Sequence, residues 1–327
     1  MEERKPVWLD CDPGNDDAFA IFLAGHHPTI QLLGISTASG NASAAKTSIN
    51  ACKILHAAGI DDVDVVQGSD DPICGIAMYK KNGRAGEVHG DTGLGTNEFP
   101  DPPKKPLKKN AILHMYESIM KSPTKVKLVG TGALTNIALL LKTFPDVKEN
   151  IDEIVFMGGA VNFGNITPCS EFNIYCDPEA ADIVCNSGLK VVMIPLDVTH
   201  TTMVSLETRK RIQDMNTKFA KACLELLEFY ADAYKRIYSF ETCPLHDPCA
   251  IAYCISPEIF TTLHCHVDIE RHSEKTRGRT ICDIYLLSQQ TKNVHVALKM
   301  DVPKFWELMI GALEKANAKN RVEEIAN

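Results

Sequence analysis

Short apolar runs and longer helix-like stretches alternate through the first two-thirds of the chain. The runs Val7–Cys11, Gln31–Thr37, Val63–Gln67, Val126–Val129, Glu153–Met157 and Lys190–Pro195 read as strands. Between them, Asp16–Ala24, Ala44–Ala58, Ala111–Lys121, Leu134–Lys142 and Pro178–Asn186 read as helices. This order predicts a mostly parallel sheet with helices on both faces. From Leu206 to about Tyr238 the pattern becomes long and helical, and a further helix is expected from Asp247-Pro248. Alternating runs near Val267–Ile269, Arg279–Ile284 and Val294–Leu298 predict extra strands, and Lys304–Lys315 closes as a helix. The expected class is α/β: an open, doubly wound, Rossmann-like sheet flanked by helices, with a few additional C-terminal strands. No linker rich in Pro, Gly or Ser divides residues 1–327, so a single domain is expected.

The least regular stretch is Tyr79–Lys109. It carries Gly83, Gly86, Gly90, Gly93 and Gly95 and the prolines Pro100, Pro102, Pro103 and Pro106. Long loops inside compact folds are usually functional or disordered. A lid is the favoured reading, with a plain surface insertion as the alternative.

Composition narrows the function. A net charge of −8, without a long basic run, argues against nucleic acid as a partner. The patch Lys104-Lys105-Pro106-Leu107-Lys108-Lys109 reads as a solvated loop. No apolar run reaches the length of a membrane span, and Met1–Lys5 lacks the apolar core of a signal peptide. Several of the 12 cysteines lie in apolar stretches and none forms a Cys-x-x-Cys pair, so reduced thiols and a cytoplasmic location are expected. His264-Cys265-His266 cannot all face one metal from a strand and is read as structural.

The most informative chemistry is Asp10-Cys11-Asp12-Pro13-Gly14-Asn15-Asp16-Asp17. It puts four aspartates between a strand and a helix, at the carboxyl edge where open α/β sheets bind ligands. Like charges this close call for a hard divalent cation bound by oxygen. Helix capping by Asn15, with Asp16 and Asp17 beside the dipole, accounts for those three residues. It leaves Asp10 and Asp12, two apart on one strand face, without a reason. Other polar stretches follow later strands or open helices: Ser39-Gly40-Asn41, Gly130-Thr131-Gly132, Met157-Gly158-Gly159, Gly164-Asn165, Glu171-Phe172-Asn173 and His246-Asp247-Pro248. Each is weak alone. Together they place carboxylates, amides and a histidine at one rim of a sheet.

In this order the motifs resemble the nucleoside hydrolases of the inosine-uridine-preferring type, over nearly the whole chain. Val88-His89-Gly90, Thr131-Gly132-Ala133-Leu134-Thr135-Asn136 and Phe305-Trp306 belong to the same likeness. The resemblance implies a calcium ion held by Asp12, Asp17, the Thr131 carbonyl and Asp247, with Asp12 also acting as base toward water. It implies ribose contacts from Asp16, Asn41, Asn165, Glu171, Asn173 and Asp247, with Met157 packed against the sugar. It places His246 as proton donor near the base, Tyr230 and Tyr234 beside it, and His89 on the loop. It further implies a ribonucleoside substrate and a homodimer or homotetramer.

The chemistry of N-glycosidic cleavage suits these residues. Carboxylates stabilise a sugar ring that becomes cationic. A divalent ion and a neighbouring carboxylate make water nucleophilic. A histidine can protonate the departing base. Two other readings stand beside this one. Asp-x-Asp after a first strand also marks magnesium-dependent aspartate-nucleophile phosphatases, although no later lysine and acidic pair is evident. A non-catalytic sugar or nucleoside binder would keep the pocket, although the intact Asp12, Asp17, Asn173 and Asp247 speak against it. His246 with Tyr230 and Tyr234 favours broad inosine and uridine cleavage; uridine preference and nicotinamide riboside stay open.

Overall fold

The computed structural model describes residues 4–77, 80, 84–95 and 99–319. Parts of the 79–109 stretch and of Met1–Lys5 therefore lie outside the described residues. The main sheet has eight strands. They are β1 (Lys5–Cys11), β2 (Ile30–Thr37), β3 (Val65–Gln67), β4 (Val126–Gly130), β5 (Ile151–Met157), β6 (Val191–Ile194), β7 (Phe260–Cys265) and β10 (Val294–Met300). Their order across the sheet is β3-β2-β1-β4-β5-β6-β10-β7. All neighbours pair in parallel except β7, which runs antiparallel to β10 at the edge. The remaining two, β8 (Val267–Ile269) and β9 (Thr280–Cys282), make a separate antiparallel ribbon.

Burial explains the pairing. The strands β1, β4, β5 and β6 are almost wholly buried, as expected of parallel strands covered on both faces. One apolar cluster, with Phe19, Phe22, Phe219 and Phe305, covers one face; a second, with Trp8, Leu128 and Phe156, covers the other. The helices are α1 (Asn15–His26), α2 (Ala44–Ala57), α3 (Arg84–His89), α4 (Ala111–Lys121), α5 (Thr135–Thr143), α6 (Phe172–Cys176), α7 (Pro178–Cys185), α8 (Leu196–Thr199), α9 (Leu206–Gln213), α10 (Lys218–Tyr238), α11 (Pro248–Ile255) and α12 (Val302–Lys319). No described helix is long and apolar enough to cross a membrane.

Three local readings change. The expected Leu206–Tyr238 helix is two helices, α9 and α10, separated where Asn216 takes a positive φ of 51°. Strand β7 shows in the sequence only at its His264-Cys265 end, because its burial is irregular, with two of its six residues buried and two exposed. Asn15 does not cap α1. The N-cap is Gly14, whose N–H donates to Asp17 Oδ2 at 2.9 Å. All twelve cysteines are free, and His264 stacks on His295 of β10 at 4.2 Å, a structural pairing.

Candidate active site

The strand order reverses at β1, which has β2 on one side and β4 on the other. Ligand crevices in open α/β sheets form at such a switch point. The tight turn after β1 sends the chain straight into α1, so Asp12, Asp16 and Asp17 collect at this edge. Helix α11 brings Asp247 to the same place. All four are buried. Carboxylate oxygens of Asp16, Asp17 and Asp247 come within 4.8 Å of one another.

Each carboxylate has a distinct setting. Asp12 Oδ2 accepts the Asn41 N–H at 2.7 Å, while Asp12 Oδ1 is buried with no partner. Asp17 accepts from Gly14 N, from Asn41 Nδ2 at 3.4 Å and from Thr131 Oγ1 at 2.8 Å. Asp16 accepts the Tyr230 hydroxyl at 3.3 Å. A Cβ at Gly40 or Gly132 would stand 2.0 or 2.7 Å from the Asp12 carboxylate, so both glycines are required for this packing. Burial, then Asp17 for Asp12 and Asp16 for Asp247, pushes both carboxyls well above the ordinary aspartate range. Burial and Asp17 raise Asp16 as well. No ion pair among the described residues neutralises these four groups.

Asp10 is the exception among the first four aspartates. It turns from the cluster and accepts Ser36 Oγ at 2.5 Å and Asn136 Nδ2 at 2.8 Å. Asn136 also reaches Thr37 O and receives Ser69 N, so the pair ties the ends of β1 and β2 to the start of α5.

Above the cluster opens a cavity of about 710 Å³, its mouth included. Of the residues singled out in the sequence, Asp16, Asn41, His89, Thr131, Met157, Asn165, Glu171, Asn173, Tyr230, Tyr234, His246 and Asp247 line it. Asp12 and Asp17 lie beneath. One wall is amide and carboxylate. Glu171, at the start of α6, accepts N–H groups of Gly159, Asn173 and Ile174. Burial outweighs these bonds and brings its carboxyl to about 7. Asn173 Nδ2 donates to Thr131 O at 3.0 Å and to Met157 O at 3.1 Å. Asn165 Oδ1 accepts Phe172 N at 2.9 Å.

The opposite wall is aromatic. Tyr230, Tyr234 and Tyr238 recur every fourth residue on α10 and face the cavity together. His246 Nε2 meets the Tyr234 hydroxyl at 2.5 Å, and His246 Nδ1 meets Thr199 Oγ1 at 2.6 Å. Tyr234 is 3.5 Å from the Tyr230 hydroxyl, which reaches Asp16. A hydrogen-bonded chain thus runs from Thr199 through His246 and both tyrosines to the acidic cluster. Burial, with His200 and His89 nearby, holds His246 well below the usual histidine range.

Tyr238, Ile237 and Glu87 also line the cavity and were not singled out in the sequence, and Val88, Ile166 and Phe172, which sit inside or beside the quoted motifs, were given no role there. Tyr238 had a signal, being one more helical turn along the Tyr230-Tyr234 face. The others are set by tertiary folding.

Residues 7–307 match the family described as inosine-uridine preferring nucleoside hydrolase. A probable ribonucleoside hydrolase of Dictyostelium discoideum is 43% identical, over 96% of this chain and 95% of that protein. The pyrimidine-specific ribonucleoside hydrolase RihA of Shewanella sp. (strain MR-7) is 42% identical, over 94% of this chain and 96% of that protein. Among solved structures, a purine-preferring ribonucleoside hydrolase from Gardnerella vaginalis aligns with a TM-score of 0.88 at 35% identity, covering 96% of this chain and 99% of that one.

Proposed function

The chain belongs to the inosine-uridine preferring nucleoside hydrolase family and is an N-ribosyl hydrolase, and on that premise we propose that it cleaves inosine, uridine and related ribonucleosides to free base and ribose with calcium bound. The observation that carries the reading is the buried cluster of Asp12, Asp16, Asp17 and Asp247 beneath a cavity with one amide-rich and one aromatic wall. The unpaired Asp12 Oδ1 and the three converging carboxylates suit a hard cation in chemistry and in charge. Asp12, Asp17, Asp247 and the Thr131 carbonyl would hold it. When bound, calcium supplies charge neutralisation and Lewis acidity toward water.

The protein's own groups do the rest. Asp12 takes a proton from the attacking water through its free oxygen. Asp16, Asn41, Asn165, Glu171, Asn173 and Asp247 orient the ribose hydroxyls, and Met157 packs under the ring. The negative charge of the carboxylates at the site stabilises the cationic sugar of the transition state. Tyr234 and His246 deliver a proton to the departing base from the opposite wall. No lysine or arginine is among the described residues that line the cavity, which disfavours the phosphatase reading, since a phosphate dianion would face the buried carboxylates with no cationic side chain among them.

Base preference is the finer part of the proposal. The relatives named above include pyrimidine-specific and purine-preferring enzymes. The chain of hydroxyls from His246 to Tyr230 supports broad cleavage, because a purine leaves poorly without a proton. The expected homodimer or homotetramer belongs to the same reading, and light scattering measures it. The experiment is a kinetic panel over inosine, uridine, cytidine, nicotinamide riboside and a phosphate monoester, with reducing sugar and phosphate both assayed. Release of phosphate without ribose would overturn the proposal.

A further inference from the structure

Residues 84–95 pass along the rim of the cavity, and their main-chain carbonyls are gripped by side chains from three helices. Arg236 of α10 donates to Glu87 O at 2.8 Å. Asn15 of α1 donates through Nδ2 to Val88 O at 3.3 Å. Lys46 and Asn50 of α2 donate to Asp91 O and Thr92 O at 2.7 and 2.8 Å. Between the first pair of grips and the second stands His89, buried and in the cavity wall. Its ring packs on Tyr230 with centroids 5.4 Å apart. The turn after it closes by Gly95 N donating to His89 O at 2.8 Å. That turn passes so close to Phe229 that a Cβ on Gly95 would lie 2.8 Å from the ring.

The decisive contact is on the His89 ring. The Asn15 backbone N–H donates to His89 Nδ1 at 3.1 Å. A nitrogen that accepts an N–H carries no proton, so the neutral ring must hold its proton on Nε2. Nε2 is then the remaining polar atom of a ring that lines the cavity. A Cβ at Gly14 would stand 2.4 Å from Nδ1, so the turn before α1 is also shaped to admit this ring.

We infer that Asn15 and Arg236 are positioning residues: with the grips on Glu87 O and Val88 O they hold His89 at the cavity wall in its Nε2–H tautomer, a fixed hydrogen-bond donor to an acceptor atom of the nucleoside. The inference rests on the proposed ribonucleoside substrate and adds a specificity element to it. A neutral donor set here favours ligands with a carbonyl, ring nitrogen or hydroxyl oxygen at that wall, and it cannot serve a ligand that presents only donors. Neither Asn15 nor Arg236 needs to touch substrate. Their effect passes through His89.

The test is a double-mutant cycle read in both kcat and KM. Asn15→Leu and Arg236→Met are each made alone and with His89→Ala, and Arg236→Lys is the conservative variant. A misplaced contact group costs up to ~100-fold in rate, and about 10-fold in kcat/KM for inosine or uridine is expected from each single variant. With His89 already alanine, the further loss should fall below about twofold, because groups that act as a unit are not additive. Arg236→Lys should retain most activity, since an ammonium also donates to a carbonyl. Losses that multiply across the cycle would overturn the inference. Arg236→Met is an exposed change that keeps the aliphatic stem, so it serves where Asn15→Leu fails to fold. Nitrogen NMR of the His89 ring judges the inference independently of turnover. A proton on Nε2 in the wild type, with tautomer mixing in Arg236→Met, supports it; a proton on Nδ1 overturns it. Absence of nucleoside cleavage by the wild type would sink the proposed function alone.

Discussion

Asn41 donates its backbone N–H to one oxygen of the Asp12 carboxylate at 2.7 Å and leaves the other oxygen buried without a partner. An orphaned buried acceptor costs free energy unless something occupies the space beside it. The geometry therefore aims Asp12 while keeping one oxygen for chemistry.

The first prediction follows from that pair. Asp12→Asn keeps the shape and removes the base, and turnover of inosine and uridine should fall by about 1,000-fold or more. Stability should move the other way. Desolvation and the Asp17 charge both oppose the ionised Asp12, so the metal-free variant should melt above the metal-free wild type. Near-normal hydrolysis by Asp12→Asn would remove it from the mechanism.

Removal of divalent ions supplies the second prediction. Chelation should abolish turnover, and calcium should restore it. A ligand that binds only the folded state at ~100 times its dissociation constant adds about 2.7 kcal/mol. Calcium titration should therefore raise the melting temperature of the chelated protein, and by less in Asp17→Asn. Full activity in chelator with no thermal shift on adding calcium would contradict the proposed site.

The pH dependence of the metal-free protein is the third. Burial raises Asp10 and Glu171 to about 7, far above their unfolded values near 4. Groups shifted upward stabilise the fold fully below the unfolded pKa and lose that contribution as pH rises through the folded one. Chelated protein should therefore melt higher at pH 6.5 than at pH 8. His89 opposes this at lower pH. Burial lowers it to about 3, so stability is lost as pH falls below its unfolded value near 6.5. A melting curve flat from pH 8 to 6.5 would show that these carboxyls are ionised throughout.

Discrimination at the sugar is the fourth. Asp16 and Asp247 are buried and line the cavity, and Asp16 accepts the Tyr230 hydroxyl at 3.3 Å. A site built to hydrogen-bond a hydroxyl rejects the analogue lacking it by factors of up to ~10,000. Uridine should exceed deoxyuridine in kcat/KM by at least about 100-fold. Equal values would show that the 2′-hydroxyl meets nothing in this cavity.

Much of this site was legible because its chemistry sits in short, dense motifs. Asp12, Asp16 and Asp17 lie within six residues of one strand end, and Tyr230 and Tyr234 share a helical face. Asp10 misleads for a local reason. Strand β1 ends at Cys11, so Asp12 lies past the pleat and the two need not share a face. Glu87, Val88 and Ile166 carry no motif chemistry, and only the folding of their loops against α10 brings them to the cavity. Strand β7 showed only at its His264-Cys265 end because an edge strand has weak alternation, whereas the buried parallel strands announced themselves as apolar runs.

The last prediction concerns His246 and Tyr234. Their 2.5 Å contact is buried, and burial keeps the imidazole neutral, so a proton must reach the base through the pair rather than from a standing imidazolium. A general acid matters only where the leaving group needs a proton. Inosine and uridine release poor leaving groups, while 4-nitrophenyl riboside releases a stable phenolate unaided. His246→Ala and Tyr234→Phe should each lower kcat for inosine by about 100-fold or more and leave the nitrophenyl riboside within about tenfold of wild type. The double variant should be little worse than His246→Ala, because the two residues form one unit. Thr199→Val, which removes only the outer hydrogen bond to Nδ1, should cost less and in the same substrate order. Both substrates losing rate by one factor would mean that the pair shapes the cavity and delivers no proton.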